Sequence, residues 1–292
     1  MVKGNGAIRY YPGCSLESSA RELGESFMEV AQILGLEMLP LEDWSCCGST
    51  PAHSTHPRWA FLLAARNLIL AEEQGAEELM VMCPSCYVRL RQAEREILEH
   101  QEKAREVEQA FGRPYRGKVR LRFFLEVLQR IGRDGLRAMV KRPLTGLKAA
   151  LYYGCLLSRP EWITGFDVAP YERFLEDLVR TMGAEVVPWP YAKQCCGASL
   201  AVTKPETSDR LVDRIRDYAT RAKANCLVVF CSLCQMNLEM RGKDSPALPV
   251  LYITELLALA AGSEKAEQWL GKHLVDPRPV LRSLESESKS GR

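Results

Sequence analysis

Ten cysteines in two groups are the residues of this chain best suited to carry chemistry. Each group has a single cysteine, then Cys-Cys-Gly, then Cys-x-x-Cys. The first group is Cys14, Cys46, Cys47, Cys83 and Cys86, and the second is Cys155, Cys195, Cys196, Cys231 and Cys234. Thiolates in such numbers are ligands for zinc or for iron–sulfur clusters. A structural zinc ion takes four ligands, usually in two short pairs, so five thiolates with one adjacent pair favour a larger iron–sulfur assembly in each group.

The spacing of the two groups indicates a duplicated domain. In the first group, 31 residues separate Cys14 from Cys46 and 35 separate Cys47 from Cys83; the corresponding gaps in the second group are 39 and 34. Equivalent cysteines lie 141 to 149 positions apart, a period too long for a solenoid repeat. The eleventh cysteine, Cys226, has no counterpart and falls in an apolar run, which predicts a small core residue.

Composition and hydropathy exclude several classes of protein. The chain has 292 residues, of which 47% are apolar and 26% charged, as in folded globular proteins. Its net charge of +2 does not suggest a nucleic-acid binder. The sequence shows no signal-peptide core and no apolar stretch that predicts a membrane span. Cysteine-rich composition without a secretion signal therefore predicts a cytoplasmic protein that binds metal, rather than one held by disulfides.

Alternating strands and helices must position the cysteines. In the first half, apolar patterning predicts strands at 7–11, 37–41 and 79–82, and helices at 16–34, 57–74 and 84–111. The second half repeats this order, with strands at 151–153, 185–188 and 226–230. The expected fold class is α/β, with two tandem domains of small, mainly parallel sheets flanked by helices. Ligands bind at the carboxyl ends of parallel strands, so each cysteine group is expected to converge there.

Charge is distributed unevenly along the chain. Residues 1–112 have ten basic and 17 acidic side chains, a net of −7, whereas residues 113–148 have 11 basic and two acidic ones, a net of +9. We therefore expect a first domain at 1–112, a basic helical connector at 113–148, a second domain at 149–275 and a flexible tail at 276–292. The connector either docks an acidic partner or an anionic substrate, or forms a solvated face.

The cysteine pattern resembles that of the CCG-domain proteins, and within them the B subunit of heterodisulfide reductase. The resemblance covers residues of about 5–262, and the second 34-residue gap is one short of the family's usual range. It implies two CCG domains related by a pseudo-two-fold axis, each holding one noncubane 4Fe–4S cluster with its five cysteines. It also implies a disulfide or thiol substrate between the clusters, and two partner proteins, namely the ferredoxin-like C subunit and the flavin-containing A subunit of such a complex.

Several residues beside the cysteines are assigned further roles. Gly48 and Gly197 follow the adjacent cysteines and are expected to let the backbone pass close to a bound cluster. His53 and His56 are candidate proton donors, although solvent-facing histidines are commoner and the second half has none there. The tyrosines before each single cysteine are expected to pack under the clusters or to bind a substrate sulfur. Cys83-Pro84-Ser85-Cys86 also fits a redox-active Cys-x-x-Cys at a helix start.

Three functions fit these patterns. The first is the catalytic component of a heterodisulfide reductase-like complex, which cleaves or forms a disulfide between two clusters. The second is a non-catalytic iron–sulfur electron-transfer component, since CCG domains also occur in enzymes that oxidise glycolate, lactate, glycerol 3-phosphate or succinate. The third is a zinc-stabilised interaction module. Two complete cysteine groups favour the first function.

Overall fold

The computed structural model describes residues 7–49, 55–158 and 169–283, and each half contains a four-stranded parallel sheet. The first-half strands are β1 (Ile8–Tyr11), β2 (Met38–Pro40), β3 (Glu78–Val81) and β4 (Arg120–Phe123). The second-half strands are β5 (Lys148–Tyr152), β6 (Glu185–Val186), β7 (Cys226–Val229) and β8 (Val250–Tyr252). The strand orders, β2-β1-β3-β4 and β6-β5-β7-β8, are equivalent. The predicted duplicated α/β fold is confirmed.

Helices flank both sheets in the same order along the chain. Those of the first half are α1 (Gly13–Glu17), α2 (Arg21–Ile33), α3 (Pro57–Glu73), α4 (Pro84–Glu99), α5 (Gln101–Phe111) and α6 (Phe124–Ala138). Those of the second half are α7 (Gly154–Leu157), α8 (Ala169–Thr181), α9 (Pro205–Arg221), α10 (Ser232–Met240), α11 (Ile253–Ala260) and α12 (Ala266–Leu270), with a 3-10 turn at Ala198–Leu200.

Two helices that the sequence predicts as continuous are interrupted, one by three residues and the other by a single residue. The helix predicted at 16–34 is divided into α1 and α2, and Ala20 before α2 has non-helical backbone angles (φ −140°, ψ 47°). The helix predicted at 84–111 is divided into α4 and α5 at His100, whose backbone is extended (φ −125°, ψ 111°). The helical spacing of apolar residues continues through both breaks, so periodicity alone does not predict them.

The segment expected to be a basic connector contributes a strand to the first sheet. Strand β4 pairs in parallel with β3 along its whole length, so this sheet extends beyond residue 112. Two arginines of this segment, Arg122 on β4 and Arg130 on α6, donate hydrogen bonds to Glu78 of the first half at 3.0 and 2.8 Å. Hydrogen bonds from Arg130 and then Arg122 lower the pKa of Glu78 to about 2. The first half therefore compensates part of the connector's charge, and docking of an acidic partner there stays a prediction.

The start of the segment expected to be a flexible tail is ordered. Residues 278–283 are helical, and Arg278 Nε lies 2.8 Å from Asp276 Oδ1. Residues 284–292 lie outside the described ranges.

Helices of the two halves pack against each other in two equivalent pairs. Helix α2 contacts α11, where Ser26 Oγ and Thr254 Oγ1 form a buried hydrogen bond of 2.7 Å. Helix α8 contacts α6, where Arg133 pairs with Asp177. Helices α2 and α8 each follow the first strand of their sheet, whereas α6 and α11 each follow the fourth. In each contact, the helix after the first strand of one half thus packs against the helix after the fourth strand of the other half, as expected for a pseudo-two-fold axis.

A buried ion cluster holds the C-terminal segment to the second half. His273 Nδ1 lies 2.8 Å from Glu239 Oε1, and Nε2 lies 2.9 Å from Glu255 Oε1. Solvent reaches at most 2% of any of these three side chains. Burial alone would lower the pKa of His273, but the hydrogen bonds and charges of the two carboxylates raise it to about 10. His273 is therefore charged at neutral pH and joins α10, α11 and the segment after α12. No motif in the sequence indicates this cluster.

Candidate metal centre

The five cysteines of each group come together at the carboxyl edge of their sheet. Cys14 lies at the start of α1 just after β1, Cys83 follows β3, and the adjacent pair lies in the loop after β2. The second group holds the matching positions around β5, β6 and β7. All 11 cysteines lie within the described residues, and none forms a disulfide. The expected convergence is present, while ligation of a metal stays a prediction.

Three pairs of sulfur atoms, two in the first group and one in the second, lie within 4 Å. Cys14 Sγ is 3.9 Å from Cys46 Sγ, and Cys47 Sγ is 3.2 Å from Cys86 Sγ. In the second half the equivalent of that last pair, Cys196 Sγ and Cys234 Sγ, is separated by 3.6 Å. The duplicated spacing in the sequence thus produces a duplicated geometry.

Crowding and burial raise the pKa of three thiols of the first group. The hydrogen bond with Cys46, together with burial, raises the pKa of Cys14. Hydrogen bonds with Cys47 and Cys83 raise the pKa of Cys86, and that of Cys47 is raised to about 12, chiefly by Cys46. A coordinating thiol is deprotonated by its metal, so a bound metal centre is what allows five thiolates to coexist here. The chemistry of the donor set fits such a centre.

The number of sulfurs in each group favours a polynuclear centre over a single ion. Within residues 7–49, 55–158 and 169–283, no three His, Cys, Asp or Glu side chains converge as ligands of one ion. The close sulfurs form pairs. Five thiols in each group exceed the four ligands of a tetrahedral zinc ion, and this number is what disfavours the zinc-module interpretation.

The two cysteine groups meet at the boundary between the halves. Cys83 Sγ lies 3.6 Å from the hydroxyl of Ser232, the residue next to Cys231. Hydrogen bonds from Cys231 and Cys86 lower the pKa of Cys83. Cys83 and Cys231 are equivalent, and each is only 3% exposed. The groups are therefore neighbours across the pseudo-two-fold axis rather than two separate sites.

Two tyrosines fix the loops that carry the adjacent cysteines. Tyr11 donates a hydrogen bond to the backbone oxygen of Ser45 at 2.7 Å, and Tyr152 donates to that of Gln194 at 2.5 Å. Each acceptor directly precedes its Cys-Cys pair. Burial, and then the charges of the surrounding thiols, raise the pKa of both tyrosines, so their hydroxyls remain donors. The Tyr-Tyr pair before each single cysteine indicated these positions in the sequence. The hydroxyls of Tyr11 and Tyr152 donate to backbone oxygens of the cysteine loops.

Gly48 and Gly197 allow each cysteine loop to pack closely on the helix that follows it. Their backbones are left-handed, with φ of 75° and 78°. A Cβ at Gly48 would lie 2.7 Å from the Cα of Ala60, and one at Gly197 would lie 2.9 Å from Leu211 Cδ1. Both contacts are with the helix that follows the cysteine loop, α3 or α9. These glycines permit close packing of loop on helix, and their expected approach to a cluster stays a prediction.

The glycines that face the thiols are Gly13 and Gly154, which sequence analysis did not single out. A Cβ at Gly13 would lie 3.5 Å from Cys86 Sγ, and one at Gly154 would lie 3.3 Å from Cys234 Sγ. Both have positive φ, 71° and 67°. Each directly precedes the single cysteine of its group, and this shared position is the sequence pattern that could have identified them.

Substituting Gly48 with alanine should destabilise the first half strongly. The left-handed backbone costs an L-residue about 1–2 kcal/mol, and the clash with the backbone of α3 adds about 1–3 kcal/mol. Gly35→Ala is the matched control, because its φ is 69° but nothing lies within 4 Å of the added Cβ. Urea denaturation of both variants measures the difference. Equal losses of unfolding free energy would show that the loop moves away from α3 without cost.

Two other residues stand apart from the cysteine groups. His56 is exposed and directly precedes α3, whereas His53 lies outside the described residues, so their proton-donor role stays a prediction. Cys226 is completely buried on β7, and burial raises the pKa of its thiol to about 12. This environment agrees with a core residue.

Paired α/β domains, each with five convergent thiols, define a class of cysteine-rich iron–sulfur proteins. The family model of the CCG cysteine-rich domain matches this chain twice, at residues 8–91 and 149–239. The chain belongs to that family, in the group related to the B subunit of heterodisulfide reductase. It is accordingly an iron–sulfur protein with an oxidoreductase role.

Curated relatives match nearly the whole chain. The 8-methylmenaquinol:fumarate reductase membrane anchor subunit of Wolinella succinogenes is 31% identical, over 91% of this chain and 96% of the relative. A protein of Archaeoglobus profundus, named as similar to the B subunit of heterodisulfide reductase, is also 31% identical, over 86% and 89%. The B subunit of the ferredoxin/F(420)H(2)-dependent CoB-CoM heterodisulfide reductase of Methanosarcina acetivorans is 26% identical, over 95% and 96%.

One solved structure shares the fold. A hypothetical protein from Helicobacter pylori superposes with a TM-score of 0.70 at 13% sequence identity. The alignment covers 92% of this chain and 51% of that one, so this chain spans about half the length of that structure. Although one relative is named a membrane anchor, no helix in the part of our chain that is described has the length and apolar character to cross a bilayer.

Proposed function

We propose that this chain is the catalytic component of a heterodisulfide reductase-like complex and cleaves or forms a disulfide at two noncubane 4Fe–4S clusters, one in each half. The observation that carries the proposal is the adjacency of two complete five-cysteine groups, which meet at Cys83 and Cys231. Relatives named as B subunits of heterodisulfide reductases, or as similar to them, support the assignment of the substrate class.

The stoichiometry of the reaction agrees with a paired site. Reduction of a disulfide consumes two electrons and two protons and releases two thiols, whereas iron–sulfur clusters, when bound, exchange electrons one at a time. Two equivalent ligand groups, each with one cluster, would therefore supply the two electrons that one disulfide requires.

The protein's own residues would hold and shield the site. The cysteines after β3 and β7 are buried and exclude water from the boundary between the halves, whereas Cys14 and Cys155 are partly exposed. The exposed side is where a substrate or an electron-donating partner can approach. The proposed partners are the ferredoxin-like C subunit and the flavin-containing A subunit of such a complex, in keeping with relatives that are named as parts of heterodisulfide reductases.

Metal analysis and turnover of the anaerobically purified chain test this function. We expect about four irons and four sulfides per half, and reduction of small disulfides with reduced methyl viologen as electron donor. Less than this metal content would contradict the two-cluster proposal. Full metal content without disulfide turnover, tested also in the presence of the partner proteins, would contradict the catalytic role alone.

The second candidate is an electron-transfer component that does not act on disulfides. The 31% identity to part of a fumarate reductase and the 25% identity to a lactate utilization protein of Bacillus cereus favour it. In that case the clusters would exchange electrons with a quinol, and the same preparation would leave disulfides unchanged.

A further inference from the structure

The two cysteine groups are alike in sequence and fold, but their surroundings differ in charge at one equivalent position. The third residue after each Cys-x-x-Cys is Arg89 in the first half and Asn237 in the second. Each lies on the helix that carries the last cysteine of its group, α4 or α10, one turn beyond Cys86 or Cys234. Residues three apart share a helix face. One group is therefore next to a cation and the other next to a neutral amide.

Arg89 is half-buried, and its charge acts on the first cysteine group. Burial lowers the pKa of Arg89, whereas the negative charges of Cys47 and then Glu96 raise it. Its side-chain hydrogen bond goes to the neutral Gln92, from Nη1 to Oε1 at 3.2 Å. Arg89 lines a cavity together with Ala60, which packs against the first Cys-Cys-Gly loop at Gly48, so Arg89 lies beside that loop.

Two other cations near this place share one acidic partner. Arg58 and Lys103 line the same cavity as Arg89, and the volume of this cavity is about 250 Å³. Both form ion pairs with the single carboxylate of Glu106, at 2.7 and 2.9 Å. Arg89 differs from them because its hydrogen bond goes to a neutral amide, while Glu96 acts on it through its charge.

The second half places an uncharged group at the equivalent point. Asn237 Nδ2 donates to the backbone oxygen of Cys196 at 2.7 Å, and Cys196 is the counterpart of Cys47. Asn237 is 4% exposed, so its amide is fixed in this role. Lys193, near the second group, forms an ion pair of 2.6 Å with Glu172, which compensates its charge.

We propose that Arg89 separates the reduction potentials of the two clusters, so that the cluster of the first half accepts the first electron. This inference rests on the proposed function, because it requires a cluster in each half. A fixed positive charge beside the ligands stabilises the reduced, more negative state of a cluster. Each cluster gains one electron, and the charge decides only which of them is reduced first. The second half, with Asn237, is the internal reference.

A redox titration followed by electron paramagnetic resonance tests the inference on the loaded protein. We expect Arg89→Asn, which copies the second half, to lower the equilibrium constant for one-electron reduction of the first cluster at least tenfold. A tenfold change corresponds to 59 mV for a one-electron couple. The reduction potential of the second cluster should not change. A variant that lacks a cysteine of the first group shows which paramagnetic signal belongs to which cluster.

Two control variants separate charge from structure. Arg89→Lys keeps the charge and should retain the wild-type separation of potentials, and Arg58→Gln removes a cation that is paired with Glu106 and should change neither potential. Equal shifts of both clusters, or none, in Arg89→Asn would overturn the inference. Loss of iron from the first half in Arg89→Asn but not in Arg89→Lys would also overturn it, since Arg89 would then be structural. Wild-type protein without clusters would instead contradict the proposed function, whereas two clusters without disulfide turnover would leave this test intact.

Discussion

Replacing Cys47 with serine is expected to remove the cluster of the first half, and with it about half of the bound iron and sulfide. Cys47 is 1% exposed and its sulfur touches that of Cys86, so no water or outside group can take its place. Without this thiolate the cluster loses one of its expected ligands, and no other group can reach the position to replace it. Iron and sulfide analysis of anaerobically purified variants measures the loss, and disulfide turnover should fall below detection because both clusters are needed.

The chain supplies two matched controls for this substitution. Cys196→Ser makes the same change at the equivalent place and should remove the other half of the iron. Cys226→Ser changes a buried thiol on β7 that belongs to neither group, and the iron content should be unchanged. An equal loss of iron in Cys226→Ser would mean that folding defects, and not ligation, explain the result.

Replacing His273 with alanine is expected to lower the free energy of unfolding by about 3–5 kcal/mol, because the substitution leaves Glu239 and Glu255 buried without their cation. These carboxylates lie on or beside two helices of the second half, so their repulsion loosens the contact of α10 with α11. Chemical denaturation at pH 7 measures the change. The exposed His56→Ala is the control and should change stability by less than about 0.5 kcal/mol.

The same cluster predicts how stability depends on pH. The pKa of His273 is raised from 6.5 to about 10 by its partners. A raised pKa means that the native state binds the proton more tightly, so this contribution is complete below pH 6.5 and disappears as the pH rises through about 10. The difference in stability between wild type and His273→Ala should therefore shrink between pH 7 and pH 10.5. A difference that is constant over this range would show that His273 acts through packing alone.

Sequence reasoning predicted the features that are local or repeated. The spacing from Cys14 to Cys86, repeated from Cys155 to Cys234, revealed both the duplication and the cysteine groups. Strand and helix patterning then placed each group at the carboxyl edge of a parallel sheet, because that edge is fixed by chain direction. The convergence of each group at that edge followed from topology without any knowledge of side-chain contacts.

Features that depend on distant contacts were not predictable from the pattern. The need for glycine at position 48 comes from the backbone of Ala60 on α3, and composition reveals no such approach. The connector was assigned from charge, yet β4 joins β3 by backbone hydrogen bonds that charge does not report. The partners of His273 lie 18 and 34 residues away on different helices. In each case a residue at long range determines the role.

The contact between Cys83 and Ser232 also has a consequence for the order of events during synthesis. The first cysteine group is complete when residue 86 has been made, but Ser232, which covers Cys83, is 149 positions further along the chain than Cys83. A ribosome adds about 5–20 residues per second, so Cys83 lacks this contact for several seconds at least after its own group is complete. Ser232 has no such interval, because Cys83 is already present when it emerges. The contact between the halves thus forms only late in synthesis, after most of the second half has been made.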